Sequence, residues 1–121
     1  MGNNIKNIQL NMAATGSVLK PLTIDFDVFT EGDEEFKQEL ILLMIDNMKE
    51  LQQSLESSAK VFRNICHKVK STLSMLEDSE LENLIKDLED EHLSPEVKAF
   101  KAGLFDNMCT DIIKNLEKET A

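Results

Sequence analysis

Tryptophan and tyrosine are absent from this 121-residue chain, proline and cysteine each occur twice, and glycine occurs four times. Without Trp or Tyr, any interior must be built from Leu, Ile, Met and the six Phe. So little Pro and Gly removes the recurrent turn chemistry on which sandwiches and barrels depend. Cys66 and Cys109 form no CxxC or zinc spacing, so neither a metal site nor a disulfide framework is expected, and a reducing cytoplasm is the simpler setting. The longest apolar run, Leu40–Ile45, is far short of the roughly 20 residues that cross a membrane. The opening MGNNIKNIQLNMAATG has no continuous apolar core, so no secretory signal is expected. Glycine-rich phosphate loops, Ser/His/Asp signatures and metal-spaced ligand sets are missing, which leaves no cofactor to assign. With 13 Lys and Arg against 23 Asp and Glu, the net charge of −10 argues against nucleic acid as a partner.

What is present is mostly helical spacing, enough for a single domain with one core. Residues 1–21 are polar and Asn-rich, with a Thr-Gly-Ser break and Pro21, and read as a flexible leader or linker; the domain is expected over 22–121. In Leu22–Thr30 the alternation of Ile24, Phe26 and Val28 with Asp25 and Asp27 has the period of a strand. A lone strand, however, would leave its backbone groups unpaired. Gly32-Asp33 opens a long helix with Asp33 as cap and Glu34 and Glu35 in the first turn. Its stripe is Phe36, Leu40, Leu43, Met44, Met48, Leu51 and Leu55, with Asn47 alongside. Ile41, Leu42 and Ile45 broaden that stripe until the middle is apolar nearly all round, as in a helix packed on several sides.

Ser57 or Ser58 caps the next helix, which lies antiparallel to the first across a short link. Glu77-Asp78-Ser79 then precedes a helix entered through Ser79, with Leu81, Leu84, Ile85 and Leu88 on one side. His92 falls at its C-terminal end. Ser94-Pro95 marks the start of a last helix, with the stripe Val97, Phe100, Leu104, Met108, Ile112 and Leu116. Gly103 inside it implies a closely approaching neighbour. Four amphipathic helices with short links predict an all-α, up-down-up-down four-helix bundle.

The most informative stretch is Val61–Leu76, VFRNICHKVKSTLSML. At about 100° per residue, Phe62, Ile65, Val69, Leu73 and Leu76 share one side, with Cys66 at its margin. Arg63, Asn64, His67, Lys70, Ser71 and Ser74 fall roughly opposite, so the imidazole points to solvent with Lys70 one turn on. Four basic residues (Lys60, Arg63, Lys68, Lys70) and no acid occur between Ser57 and Leu76. A positive island surrounds one exposed histidine on an acidic chain. An exposed histidine alone carries no task, and Lys70 alone is an ordinary solvated lysine; the combination is what points to chemistry.

His67-Lys68-Val69-Lys70-Ser71 resembles the H-x-hydrophobic-K-[G/S] signature of histidine-containing phosphotransfer (HPt) domains, the phosphoryl shuttles of two-component relays. The likeness takes in Gly32-Asp33-Glu34-Glu35-Phe36 with the apolar run after it, and Leu81 to Leu88, about three quarters of the chain. It implies a short extra N-terminal helix over the Leu22–Thr30 segment in place of a strand. A glycine that often sits near the turn after the histidine helix in that family is here Glu77. The resemblance implies that His67 accepts a phosphoryl group from a receiver-domain aspartate and passes it to another receiver. Lys70 would stabilise the phosphoryl charge, and the small Ser71 would let the partner approach; the family more often has glycine there. Arg63, Asn64, Lys68 and Ser74 would rim the docking surface, with Met75 on the flank. The implied partners are response-regulator receiver domains, which supply Mg²⁺ themselves, and a hybrid histidine kinase upstream. The chain would be a cytoplasmic monomeric phosphocarrier that binds no ATP, nucleic acid or membrane.

Two other readings compete. Phosphoacceptor helices of histidine kinases usually follow the histidine with an acid and a proline a few residues on, whereas Lys68 follows His67 and no proline lies between Pro21 and Pro95. A non-phosphorylated helical adaptor would use the same basic face to bind an acidic protein.

Overall fold

A computed structural model describes residues 22–120; the leader expected over 1–21 lies outside them. The described residues form six α-helices and no strand: α1 Phe26–Phe29, α2 Glu34–Gln53, α3 Ala59–Lys68, α4 Lys70–Leu76, α5 Ser79–Leu88 and α6 Pro95–Lys118, with a 3₁₀ turn Ser54–Glu56 after α2. No helix among them is long and apolar enough to cross a membrane.

Local chemistry starts most of these helices. A side-chain oxygen accepts an N–H from the first turn at Asp25 for α1, Asp33 for α2, Ser58 for α3, Asp78 for α5 and Ser94 for α6, satisfying donors that a helix start leaves unpaired. Asp78 caps α5, and Ser79, expected as the entry residue, is its first helical residue. The alternating segment over 22–30 resolves into extended residues 22–25 followed by the single turn of α1. Phe26 is buried, Val28 is exposed, and the Thr30 hydroxyl closes the turn on the Phe26 carbonyl at 2.7 Å. Glu31 and Gly32 then take left-handed conformations that reverse the chain into α2. Glu77, standing where a glycine was expected, is also left-handed, with φ 48°.

α2 runs antiparallel to α6 and to the α3–α4 pair. Gln52 near the end of α2 donates to the Asp106 carbonyl and to the Thr110 hydroxyl of α6, while Lys37 near its start lies within electrostatic reach of Glu119. Asn47 and Glu50 of α2 meet Thr72 and Lys68 in reverse order. Lys101 of α6 pairs with Asp87 of α5. One core runs between them, and in it Phe62 of α3 meets Phe105 of α6 edge-on, with ring centroids 5.7 Å apart at 81°.

Two expectations about faces are corrected, and two about single residues. In α2 the buried residues are Ile41, Met44, Ile45, Met48 and Leu51, whereas Phe36, Leu42 and Leu43 are exposed. α1, one turn long, is too short to cover that flank. In α6 the buried residues are Phe105, Cys109, Ile112, Ile113 and Leu116, and Val97, Phe100 and Leu104 face solvent. The inward side of α6 is rotated by about one residue: Lys98 and Ala102 of its first turns face Leu55, Phe62 and Leu88, and Ala102 packs against the core. A Cβ on Gly103 would find no neighbour within 4 Å, so no close approach explains that glycine. His92 lies in the turn beyond α5, its N–H donating to Asp90, and not at a helix end.

Candidate functional site

The helix expected over Val61–Leu76 is two helices. Val69, with φ −99° and ψ 19°, separates α3 from α4. The buried residues are Phe62, Cys66, Val69, Thr72 and Leu76, while Ile65 and Leu73 are half-buried. Cys66, expected at the margin, and Thr72, which spacing assigned to neither side, therefore belong to the core side.

His67 is exposed in the last turn of α3, and Lys70 and Ser71 are exposed in the first turn of α4. Asn64 and Ser74 are exposed as well, one turn before His67 and two turns after it. These five share the outward side expected from spacing. The other two residues expected to rim the site are turned to its flanks. Lys68 pairs with Glu50 of α2 at 2.9 Å. The Arg63 guanidinium reaches away toward the link between α5 and α6, donating to the Glu89 carbonyl at 3.4 Å and pairing with Glu91 at 3.1 Å. Lys70 has no acidic partner within 4.0 Å among the described residues. The positive island of the sequence is therefore partly neutralised by acids that arrive from other elements.

Beside this face lies a groove of about 440 Å³ between α4 and the chain around α1, lined by Ile24, Val28, Phe29, Ser74, Met75 and Glu77 among others. Val28 and Phe29 are exposed there. Ser74 and Met75 reach it from the His67 helix, about 10 Å along the axis from His67 at 1.5 Å per residue. Spacing offered no sign of this groove, because it depends on where the short α1 lands. The Asn47–Thr72 hydrogen bond, 2.8 Å across α2 and α4, was also missed. Its one sequence signal is a polar residue alongside the apolar stripe of α2.

Cys66 and Cys109 are free and buried. Burial pushes the Cys66 thiol up to about 12, helped by the charge of Glu89, and pushes that of Cys109 higher still, with Asp106 adding to it. Such thiols are protonated and inert at neutral pH, which gives them a packing role. Among the described residues no three His, Cys, Asp or Glu side chains converge to hold a metal ion. Compared with known proteins, the chain matches no family model, no curated protein and no solved structure.

Proposed function

We propose that this chain is a phosphocarrier in which His67 takes a phosphoryl group from a receiver-domain aspartate and hands it to a second receiver. The observation that carries the reading is the outward position of His67 with Lys70 and Ser71 on one side of a helix pair braced against α2. In the forward step an unprotonated ring nitrogen attacks the phosphorus of the aspartyl phosphate. The P–N bond forms, the P–O bond to the carboxylate breaks, and the free aspartate leaves on the receiver. Transfer of this kind asks for positioning and charge neutralisation more than for covalent help. Lys70 supplies a compact positive charge toward the phosphoryl oxygens, and Ser71 keeps the approach open. The receiver brings the Mg²⁺.

The same reading takes α2, the α3–α4 pair, α5 and α6 as the four helices of an up-down-up-down bundle, with α1 as the short extra helix; the antiparallel pairings of α2 support it. It also makes the α1–α4 groove part of the receiver's landing surface, since exposed Val28 and Phe29 and the adaptable Met75 offer apolar area beside the histidine. That groove equally suits an adaptor that binds protein without carrying phosphate.

The deciding experiment is incubation with a phosphorylated receiver and Mg²⁺. The expected result is an acid-labile label on the wild-type chain and none on His67→Gln, whose unfolding transition stays unchanged because the side chain is exposed. An unlabelled wild type would sink the phosphocarrier reading in favour of the adaptor.

A further inference from the structure

His67, Lys70 and Ser71 would be fixed neighbours on a regular helix, but the backbone between them is kinked at one residue, although the Val69 N–H still donates to the Ile65 carbonyl and the Leu73 N–H to that of Val69. Val69 sits well away from the helical values of about −63° and −42° and divides α3 from α4 directly between the imidazole and the ammonium. Phe62 and Cys66 are buried in α3, Val69 at the kink, and Thr72 and Leu76 in α4, with Ile65 and Leu73 packed against the same core. α3 meets α6 through the Phe62–Phe105 contact and α2 through the Lys68–Glu50 pair, and α4 is tied to α2 through Thr72. The direction in which Lys70 and Ser71 leave the backbone is thus set by what holds α4.

α4 has seven residues and no side-chain cap. A helix that short has no direction of its own and takes it from tertiary contacts. Its most specific contact is the Asn47 amide, which donates to the Thr72 hydroxyl at 2.8 Å. Three polar residues are buried among those described, Thr30, Ser54 and Thr72. The hydroxyls of Thr30 and Ser54 bond to carbonyls three or four residues back in their own turns. Thr72 instead bonds to a side chain of another helix. A buried polar group with one interhelical partner specifies orientation, since any rotation of α4 leaves it unsatisfied. At the far end of α4 only a longer bond, Thr23 hydroxyl to Leu76 carbonyl at 3.4 Å, adds to this.

We infer that Asn47 is a positioning residue for the His67 site: through Thr72 it fixes α4 across the break at Val69 and so sets where Lys70 and Ser71 stand relative to the imidazole. The consequence for transfer rests on the phosphocarrier reading, whereas the structural part does not. The test uses full-length Thr72→Val, Thr72→Ser, Asn47→Ala, Lys70→Ala and the Lys70→Ala/Thr72→Val pair. It reads amide hydrogen exchange and the rate of phosphoryl transfer from a phosphorylated receiver. In Thr72→Val and Asn47→Ala, exchange should accelerate over Leu73–Leu76 and stay unchanged over Phe62–Cys66. Transfer should slow on the order of tenfold, as misplacement of a charge-stabilising group does, and Thr72→Ser should return it to the wild-type rate. In the Lys70→Ala background Thr72→Val should add little, because the bond acts through the residues that α4 presents. Unchanged exchange over Leu73–Leu76 would overturn the positioning role whatever the transfer assay gives. Full additivity with Lys70→Ala would overturn it too, by showing a general loosening. A wild type that never labels would refute the phosphocarrier reading, and exchange would then decide the structural part alone.

Discussion

Phe100 and Phe105 are five residues apart on α6, and spacing and structure assign their burial in opposite ways. Helical spacing puts Phe100 in the core stripe; the structure leaves it 67% exposed and buries Phe105 completely. Truncation separates the two. Phe105→Ala removes a side chain wedged between α6 and α3, where it meets Phe62 edge-on. Loss of a buried phenylalanine costs about 3–5 kcal/mol once the cavity is included, of which the edge-to-face pair contributes about 1. Phe100 has about a third of its surface covered. Full burial of such a side chain stabilises by about 1.5–3 kcal/mol, so Phe100→Ala should cost under about 1. With a urea slope of about 1–3 kcal/mol per molar, the two midpoints should differ by about 1 M or more. The chain has no Trp or Tyr, so far-UV circular dichroism is the natural signal for equilibrium unfolding. Equal midpoint shifts, or a Phe100→Ala loss of about 3 kcal/mol, would refute this packing of α6.

Gly103→Ala should raise stability by about 1 kcal/mol, the helix-propensity difference, because an added Cβ meets nothing within 4 Å; a loss in the same urea titration would mean that a neighbour does crowd the position. The buried thiols predict a pH dependence. Both have folded values raised above the ordinary 9.0, so their contribution is fully present below about pH 9 and falls as pH rises from there toward about 12. Stability measured from pH 8 to 10.5 should therefore decline, and the decline should lessen in Cys66→Ala, while native-state thiol labelling at pH 8 should run no faster than unfolding. Rapid labelling of either cysteine would contradict their burial.

What the sequence made legible is what is decided locally. Asp33 and Ser94-Pro95 mark helix starts because a cap acts on N–H groups three residues away, and the structure selects Ser58 from the pair Ser57 and Ser58. The exposure of His67, Lys70 and Ser71 followed from period alone. The rotation of α6 did not, because it depends on how α6 meets residues from elsewhere in the chain, such as Leu55, Phe62 and Leu88. The break at Val69 was equally hidden, since neither Gly nor Pro marks it. Cys66, expected at the margin, and Thr72, assigned to no side, lie in the core, and Ile65 and Leu73 at its edge. Periodicity finds a helix's amphipathic side to within a residue or two, and the neighbours settle the rest.

Charge around His67 follows the same logic. A run of four cations without an acid suggests a strongly positive patch, yet Arg63 is matched by Glu91 and Lys68 by Glu50, both from outside the run. Such exposed pairs add little to stability, about 0–1 kcal/mol each, but they remove two charges from the field at the histidine. Lys60 stands two turns away, which leaves Lys70 as the nearest cation with no acid beside it among the described residues. Under the proposed function this restraint matters. A cluster of guanidinium forks would grip a phosphoryl group through bidentate bonds and hold it, whereas one ammonium on a flexible stem lowers the barrier in both directions while binding the product weakly. A relay has to release the group as readily as it accepts it, and a single lysine beside an otherwise neutralised face suits that two-way traffic better than the positive patch that the sequence suggested.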